Sequence, residues 1–330
     1  MTAHWRILSL PPLDEGLVKS LFAPLGDTVE VTFPATRDRA GLHAALADAD
    51  IVIGDFTGEL RLDAEAVAVA PRLAFVQQPS VGTDSLDLDA LAAAGVPAAN
   101  TAGFNSRAVA EWAVGATFAL CRHLAWGDRK VREGGWPQME LAVARRPREV
   151  HTQRIGIVGY GAIGAEAARL FQALGAPVSY WSRTPRPEAT ATYRELDDLL
   201  ANSDVLVVAV PLTTETKGML GADKLALVPD GAFLVNVARG GIAPDADVLA
   251  ALESGRLAGA ALDVFEEEPP PADHPLRTHE NAMVSPHAAG GSVSAQITLV
   301  TKVQANVTAA VEGRPVIDVV NGLSPLIKHR

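Results

Sequence analysis

Short runs of β-branched and aliphatic residues recur along this chain, separated by alanine-rich stretches that open on an acid or a Ser/Thr, and this alternation most narrows what it can fold into. Strands covered on both faces read as continuous apolar runs, and a helix between two strands returns the chain to the same edge of a parallel sheet. Towards the N-terminus the strand candidates are Arg6–Leu10, Val29–Phe33, Ile51–Ile53 and Leu73–Val76, with helix candidates at Asp14–Phe22, Arg39–Ala47, Asp63–Ala70 and Asp87–Ala94. A second series begins at Arg154 with Ile155–Val158, Val178–Trp181, Val205–Val210, Ala232–Val237, Ala258–Leu262 and Ala282–Ser285. The expected fold class is α/β, and the second series reads as a doubly wound parallel sheet.

Between the two series, Ser106 to about Arg132 reads as one long, mostly apolar helix closed by Gly134, Gly135 and Pro137. Within it, Glu111 reads as a buried structural carboxylate, and Trp112 and Cys121 as core residues. A last helix, about Ser292–Glu312, ends at Gly313 and Pro315. The glycine-containing junctions Asn100–Phe104 and Ala288–Gly291 flank the second series and suit hinges. Arg145–Arg148 forms a small basic cluster in a Pro-containing loop, read as solvated, with a substrate-anion contact as the alternative.

Composition limits the function. At 330 residues the chain fits two domains of ~150 residues each. Its content of 48% hydrophobic and 20% charged residues supplies two cores and excludes a disordered or collagen-like chain. No apolar run approaches the roughly 20 residues that span a bilayer. Met1–Leu10 lacks the basic start and long apolar stretch of an export signal. The single cysteine, Cys121, excludes an intrachain disulfide and a thiolate metal site, and a cytoplasmic protein with no metal is expected. With 39 acids against 28 bases, a net charge of −11, a sequence-independent grip on nucleic acid is excluded. Any anion must be held by local donors.

One such set of donors is legible. The strand Ile155–Val158 runs into GYGAIG, which places Gly159, Gly161 and Gly164 at a strand-to-helix turn, with Tyr160, Ala162 and Ile163 between them. Glycines at this spacing allow a tight turn, close approach of N–H groups to a pyrophosphate and close helix packing, while the helix N-terminus faces the anion. About twenty residues on, NAD-selective folds carry an acid for the ribose 2′-hydroxyl. This chain has Ser182, Arg183, Thr184, Pro185 and Arg186 there. Two guanidinium groups suit a 2′-phosphate, so NADP is favoured over NAD.

Three polar residues follow C-terminal ends of strands, the edge where open α/β sheets bind ligands. Arg239 lies in VNVARGG, Glu268 in DVFEEEP and His287 in SPHAAGG. With SVGTDSLDLDAL (80–91), FNSRAVAEWAVG (104–115), IGIVGYGAIG and VVAVPLTTETKGML (207–220), these motifs stand in the order of the D-isomer-specific 2-hydroxyacid dehydrogenase family, which the chain strongly resembles from about residue 80 to 291.

The resemblance implies two Rossmann-like domains with a cleft between them: a dinucleotide domain over 101–288 and a discontinuous substrate domain over 1–100 and 289–330. It implies a homodimer formed largely through the dinucleotide domain. It also implies that Arg239 holds the substrate carboxylate, that His287 donates a proton to the oxygen of a 2-oxo acid, and that Glu268 raises the His287 pKa and orients its ring. The N–H groups of Val81 and Gly82, beside Ser80, resemble the family's carboxylate cradle. The cofactor surface extends to Val210, Pro211, Leu212, Thr216, Val237, Ala238 and Gly290. Asp263 stands at a position that contacts the nicotinamide carboxamide, or else caps its strand. Asn105 matches a hinge position, or else caps the long helix. Candidates to line the substrate pocket are Phe56, Gln77, Gln78, Trp136, Met139 and Arg145.

The missing ribose acid makes the NADPH-dependent glyoxylate and hydroxypyruvate reductases the nearest comparison. Two other readings stand beside it. One is oxidation of a phosphite-type anion, whose enzymes carry a lysine where this chain has Val81. The other is a dinucleotide-sensing, non-enzymatic binding protein like the corepressors that resemble this family.

Overall fold

The computed structural model describes residues 4–330, so the first residues of Met1–Leu10 lie outside the described residues. The chain forms two compact units, one running to Phe104 and resuming over Val293–Arg330, the other Asn105–Ser292. Each change of unit falls at the C-terminal side of a glycine-containing junction.

In chain order the first unit contributes β1 (Trp5–Ser9), α1 (Glu15–Phe22), β2 (Val29–Thr32), α2 (Arg39–Leu46), β3 (Ile51–Ile53), α3 (Ala64–Ala68), β4 (Phe75–Gln77), α4 (Leu88–Ala93) and β5 (Ala98–Ala99). The second begins with α5 (Ser106–Cys121), α6 (Leu124–Arg132), β6 (Ile155–Val158), α7 (Ala162–Ala173), β7 (Val178–Trp181), β8 (Thr192–Tyr193) and α8 (Leu196–Ala201). It continues with β9 (Val205–Val208), α9 (Ala222–Leu225), β10 (Ala232–Asn236), α10 (Asp245–Glu253), β11 (Leu257–Leu262) and β12 (Ala282–Val284). Helix α11 (Val293–Val311) belongs to the first unit.

Both sheets are parallel throughout. The first has the order β2-β1-β3-β4-β5 and the second β12-β11-β10-β9-β6-β7-β8. The order reverses between β1 and β3 in one and between β6 and β9 in the other, the doubly wound arrangement that opens a crevice at the C-terminal strand ends. Each sheet is buried on both faces. In the first, Val303, Val307 and Ala310 of α11 pack with Ile7, Ile51 and Phe75, while Leu42, Val67 and Leu91 pack with Leu8 and Val52 on the opposite side. In the second, Ala113 and Phe171 pack with Ile157 and Val207, while Leu199 and Val248 pack with Leu206 and Leu234.

The acids that open the first helices work as caps. Asp14, Asp38, Asp63 and Asp87 each accept the N–H three residues on, at 2.8–2.9 Å, which satisfies a donor left over at a helix start. The two-residue edge strands β5 and β8 have no sequence signature, because a neighbour's backbone rather than an apolar run defines them.

Three expectations are corrected. The long helix is broken: α5 ends at Cys121, and His123 takes a left-handed φ of 52° with its ring bonded to the Arg145 carbonyl before α6 begins. The break comes where burial stops, since α6 buries only Trp126. Glu111 is exposed and paired with Arg107, because the buried stripe runs through Val109, Ala110, Ala113, Ala116 and Leu120. Arg145 is not solvated: its side chain is 14% exposed, lies 4.0 Å from the Trp126 ring and bonds Glu280 and Asn281.

Removing one cap tests this account locally. Asp87→Ala should cost roughly 1 kcal/mol in α4, read as about five-fold faster amide hydrogen exchange over Leu88–Ala93 with little change elsewhere.

Candidate active site

The glycine turn after β6 is shaped for close approach. Gly159 has a φ of 103°, and a Cβ there would meet the Ala209 carbonyl oxygen at 2.6 Å. At Gly164 a Cβ would lie 1.9 Å from the Gly159 carbonyl oxygen, so a bare Cα is what lets α7 start against the strand. At Gly161, the cap residue of α7, a Cβ would point into open space. That space lies over the positive end of a twelve-residue helix, where backbone N–H groups hold phosphate. The turn fits a dinucleotide pyrophosphate. Ile163 is partly buried against the core.

The next strand positions the basic loop. Tyr160 packs its ring 4.0 Å from that of Tyr180, and the Tyr180 hydroxyl accepts the Arg186 N–H at 2.8 Å and donates to the Arg186 carbonyl. Ser182 turns its hydroxyl to the Thr184 carbonyl. Arg183 and Arg186 are exposed, and neither guanidinium makes a hydrogen bond or ion pair among the described residues. After β9, Thr216 donates to the Pro211 carbonyl and accepts from Thr213, bracing the loop that follows Val210. Val237 and Ala238 are buried at the end of β10.

Arg239, Glu268 and His287 all lie in the second unit, beyond β10, β11 and β12. Asn236, 1% exposed, accepts the Ala238 N–H and donates to the Arg239 carbonyl, which fixes the turn that carries the guanidinium. Gly240 lets that turn pack against the backbone of Phe265 and Glu266, where a Cβ would clash. Glu268 accepts the Phe265 N–H at 3.0 Å through Oε1 and bonds His287 Nδ1 at 2.7 Å through Oε2. Asp263, 2% exposed, accepts Ser285 Oγ and the N–H groups of Ala288 (2.8 Å) and Ala289 (2.9 Å). Its carboxylate thus caps the loop that carries His287. Asn105 sits at the cap position of α5 without a capping bond, its amide nitrogen against Gly290.

The electrostatics follow from this contact. The Glu268 hydrogen bond, stronger than the opposing burial and the Arg239 charge, raises the His287 pKa above its ordinary 6.5. Burial works against charge on Glu268, but the bonds from His287 and Phe265, with the charges of His287 and Arg239, hold its carboxyl below the ordinary 4.5. The structure therefore brings Glu268 and His287 into contact, with Arg239 within electrostatic reach of both.

In the first unit the loop after β4 carries Ser80, Val81 and Gly82. Ser80 Oγ donates to the Gly82 carbonyl at 2.6 Å, and the N–H groups of Val81 and Gly82 have no partner among the described residues. Two adjacent backbone donors left without a partner suit an anion such as a carboxylate. Of the pocket-lining candidates, Phe56, Trp136 and Met139 are exposed, whereas Gln77 and Gln78 are buried and hydrogen-bonded. No group of His, Cys, Asp and Glu among the described residues could hold a metal ion, and no helix among them is long and apolar enough to cross a membrane.

A family model described as D-isomer specific 2-hydroxyacid dehydrogenase, NAD binding domain, matches residues 114–289. Glyoxylate reductase of Aeropyrum pernix is 35% identical over 273 residues, covering 79% of this chain and 80% of its own. The chain belongs to the D-isomer specific 2-hydroxyacid dehydrogenase family. Hydroxyphenylpyruvate reductase of Plectranthus scutellarioides is 35% identical over 288 residues, 87% of this chain and 89% of that one. Among solved structures, NAD-dependent formate dehydrogenase of Staphylococcus aureus in complex with NAD superposes with a TM-score of 0.84 at 26% identity, over 98% of this chain and 99% of that one. This dehydrogenase is an oxidoreductase that uses a nicotinamide dinucleotide.

Two residues that shape the site were not singled out in the sequence. Asn236 stood inside VNVARGG as an ordinary strand end, although an Asn three residues before a candidate Arg is itself a turn signal. Ser285 carried no signal, because its role is to bond Asp263 across two strands.

The Glu268–His287 contact sets a pH window. His287, with its pKa raised, contributes stability fully below 6.5 and loses it as pH rises through the folded value. Glu268, with its pKa lowered, contributes fully above 4.5 and loses it as pH falls through the folded value. Histidine-labelled NMR titration should show His287 titrating above 6.5, and Glu268→Gln should move it downwards.

Proposed function

We propose that this dehydrogenase reduces a small 2-oxo acid such as glyoxylate or hydroxypyruvate, using NADPH in preference to NADH, and releases the D-2-hydroxy acid. The observation that carries the reading is the His287–Glu268 hydrogen bond, with the Arg239 charge nearby, at the strand edge that also bears the glycine turn. The names of the glyoxylate and hydroxyphenylpyruvate reductases among its relatives support the reaction class.

The bound dinucleotide supplies the hydride. Arg239 offers a permanently charged, forked donor to the substrate carboxylate and polarises the carbonyl. The N–H groups of Val81 and Gly82, with Ser80, cradle the same carboxylate. His287, held at Nδ1 by Glu268, presents Nε2 and gives its proton to the substrate oxygen. A raised pKa keeps that proton available at neutral pH. On the cofactor side we assign Gly159, Tyr160, Gly161, Ala162, Ile163 and Gly164 to the pyrophosphate turn. Val210, Pro211, Thr216, Val237, Ala238, Asp263 and Gly290 complete that surface, and Ser182, Arg183, Thr184 and Arg186 hold the 2′-phosphate. Support for NADPH comes from two exposed guanidinium groups, neither in an ion pair among the described residues, in the stretch Ser182–Arg186, which has no acid. The unit Asn105–Ser292, close to the expected 101–288, then serves as the dinucleotide domain, and the unit running to Phe104 and resuming over Val293–Arg330 as the substrate domain. Exposed Leu124, Val131, Trp136 and Met139 fit a homodimer formed through the dinucleotide domain. A cytoplasmic location fits the single buried thiol, Cys121, whose pKa burial pushes up to about 11.

Steady-state kinetics with NADPH and NADH against a panel of 2-oxo acids test the whole reading. His287→Ala should lower kcat by about 10²–10⁴-fold, the usual worth of a general acid. Reduction should slow as pH rises through the His287 pKa, while oxidation of the hydroxy acid should speed up. Arg183→Ala with Arg186→Ala should raise KM for NADPH by about ten-fold or more and leave that for NADH nearly unchanged. If the protein turned over no member of the panel, the assignment would be wrong.

A further inference from the structure

We propose that Asn100 is a positioning residue, which aims the Gly82 N–H at the substrate carboxylate by holding the Val81 carbonyl. The inference rests on the reading of Val81 and Gly82 as a carboxylate cradle and deepens it.

A loop N–H is a precise donor only if its peptide plane cannot turn. Because the peptide is planar and trans, fixing the carbonyl of one residue fixes the direction of the next residue's N–H. In the Ser80–Gly82 loop every carbonyl is tied. The Ser80 carbonyl accepts the Thr101 N–H at 3.1 Å, which sets the Val81 N–H. The Val81 carbonyl accepts Asn100 Nδ2 at 2.8 Å, which sets the Gly82 N–H. The Gly82 carbonyl accepts Ser80 Oγ, which acts one peptide further on. The two free N–H groups thus owe their direction to two consecutive residues, Asn100 and Thr101, and Asn100 is the one that acts through its side chain.

Asn100 is built for this task. It is 8% exposed, and its backbone is held on both sides: its N–H donates to the Asp318 carbonyl, and its carbonyl accepts Gln77 Nε2 at 3.3 Å. Its Oδ1 accepts the Ala102 N–H at 3.1 Å, which leaves Nδ2 facing the Val81 carbonyl. Gln77 is in turn held by Asn306 of α11 at 2.7 Å, so the support reaches the core of the unit. An amide is the group required, since one end must accept and the other donate.

The test compares wild type with Asn100→Asp and Asn100→Ala by steady-state kinetics, cofactor affinity and thermal melting. Asn100→Asp keeps the acceptor for Ala102 but sets a carboxylate against the Val81 carbonyl. KM for the oxo acid should rise about ten-fold or more, with kcat within about two-fold and cofactor affinity unchanged. On acidification the introduced carboxyl gains a proton that can bond the Val81 carbonyl. The KM ratio of Asn100→Asp to wild type should therefore fall towards one, whereas that of Asn100→Ala should stay high. A purely structural asparagine would lower the melting temperature and the active fraction, hence apparent kcat, and leave KM alone. That result, or an unchanged KM in both variants of an active enzyme, overturns the inference. Absence of turnover by wild type itself would instead overturn the functional reading beneath it.

Discussion

One buried carboxylate, that of Asp263, shapes the C-terminal edge of the larger sheet. His287 has a φ of 50°, a left-handed backbone that costs a residue with a Cβ about 1–3 kcal/mol. Asp263 offsets that cost: its side chain takes three donors from the loop, and its carbonyl accepts the His287 N–H at 2.9 Å. With the backbone so fixed, the ring meets Glu268, and Glu268 is fixed by the Phe265 N–H. The direction of the His287 ring and its basicity are thus set by the same contact.

The same device recurs wherever a loop leaves a strand for the functional edge. Asn236 holds the Arg239 turn, Asp263 the His287 turn and Asn100 the Ser80–Gly82 loop. In each case a short amide or acid, nine-tenths buried or more, bonds backbone groups of a loop. Parallel sheets covered on both faces leave only their strand ends for chemistry. Those ends are irregular backbone, and their polar groups need partners that a helix or strand would otherwise supply.

Much of the scaffold was legible, since burial on both faces writes a strand as an apolar run and a helix start as an acid. The strands Ile51–Ile53, Ile155–Val158 and Val178–Trp181 stand where the sequence puts them. The failures share a cause. Whether Glu111 is buried depends on which stripe of α5 meets the sheet, and an apolar helix does not declare its stripe. Arg145 is drawn from solvent by Trp126, Glu280 and Asn281, partners distant in sequence. The break at His123 reflects the loss of a surface to pack against rather than any breaker residue.

Sequence alone determined the α/β class, the glycine turn, the want of an acid over Ser182–Arg186 and the candidates to bind an anion or move a proton. These are local properties: a periodicity, a spacing, a side-chain pKa. Tertiary structure alone decided that Glu268 touches His287, that Asp263 caps the turn that carries His287, and that the amide of Asn100 faces the Val81 carbonyl. Such contacts join segments separated along the chain, and hydrogen bonds are made over a few ångströms of space whatever their distance in sequence.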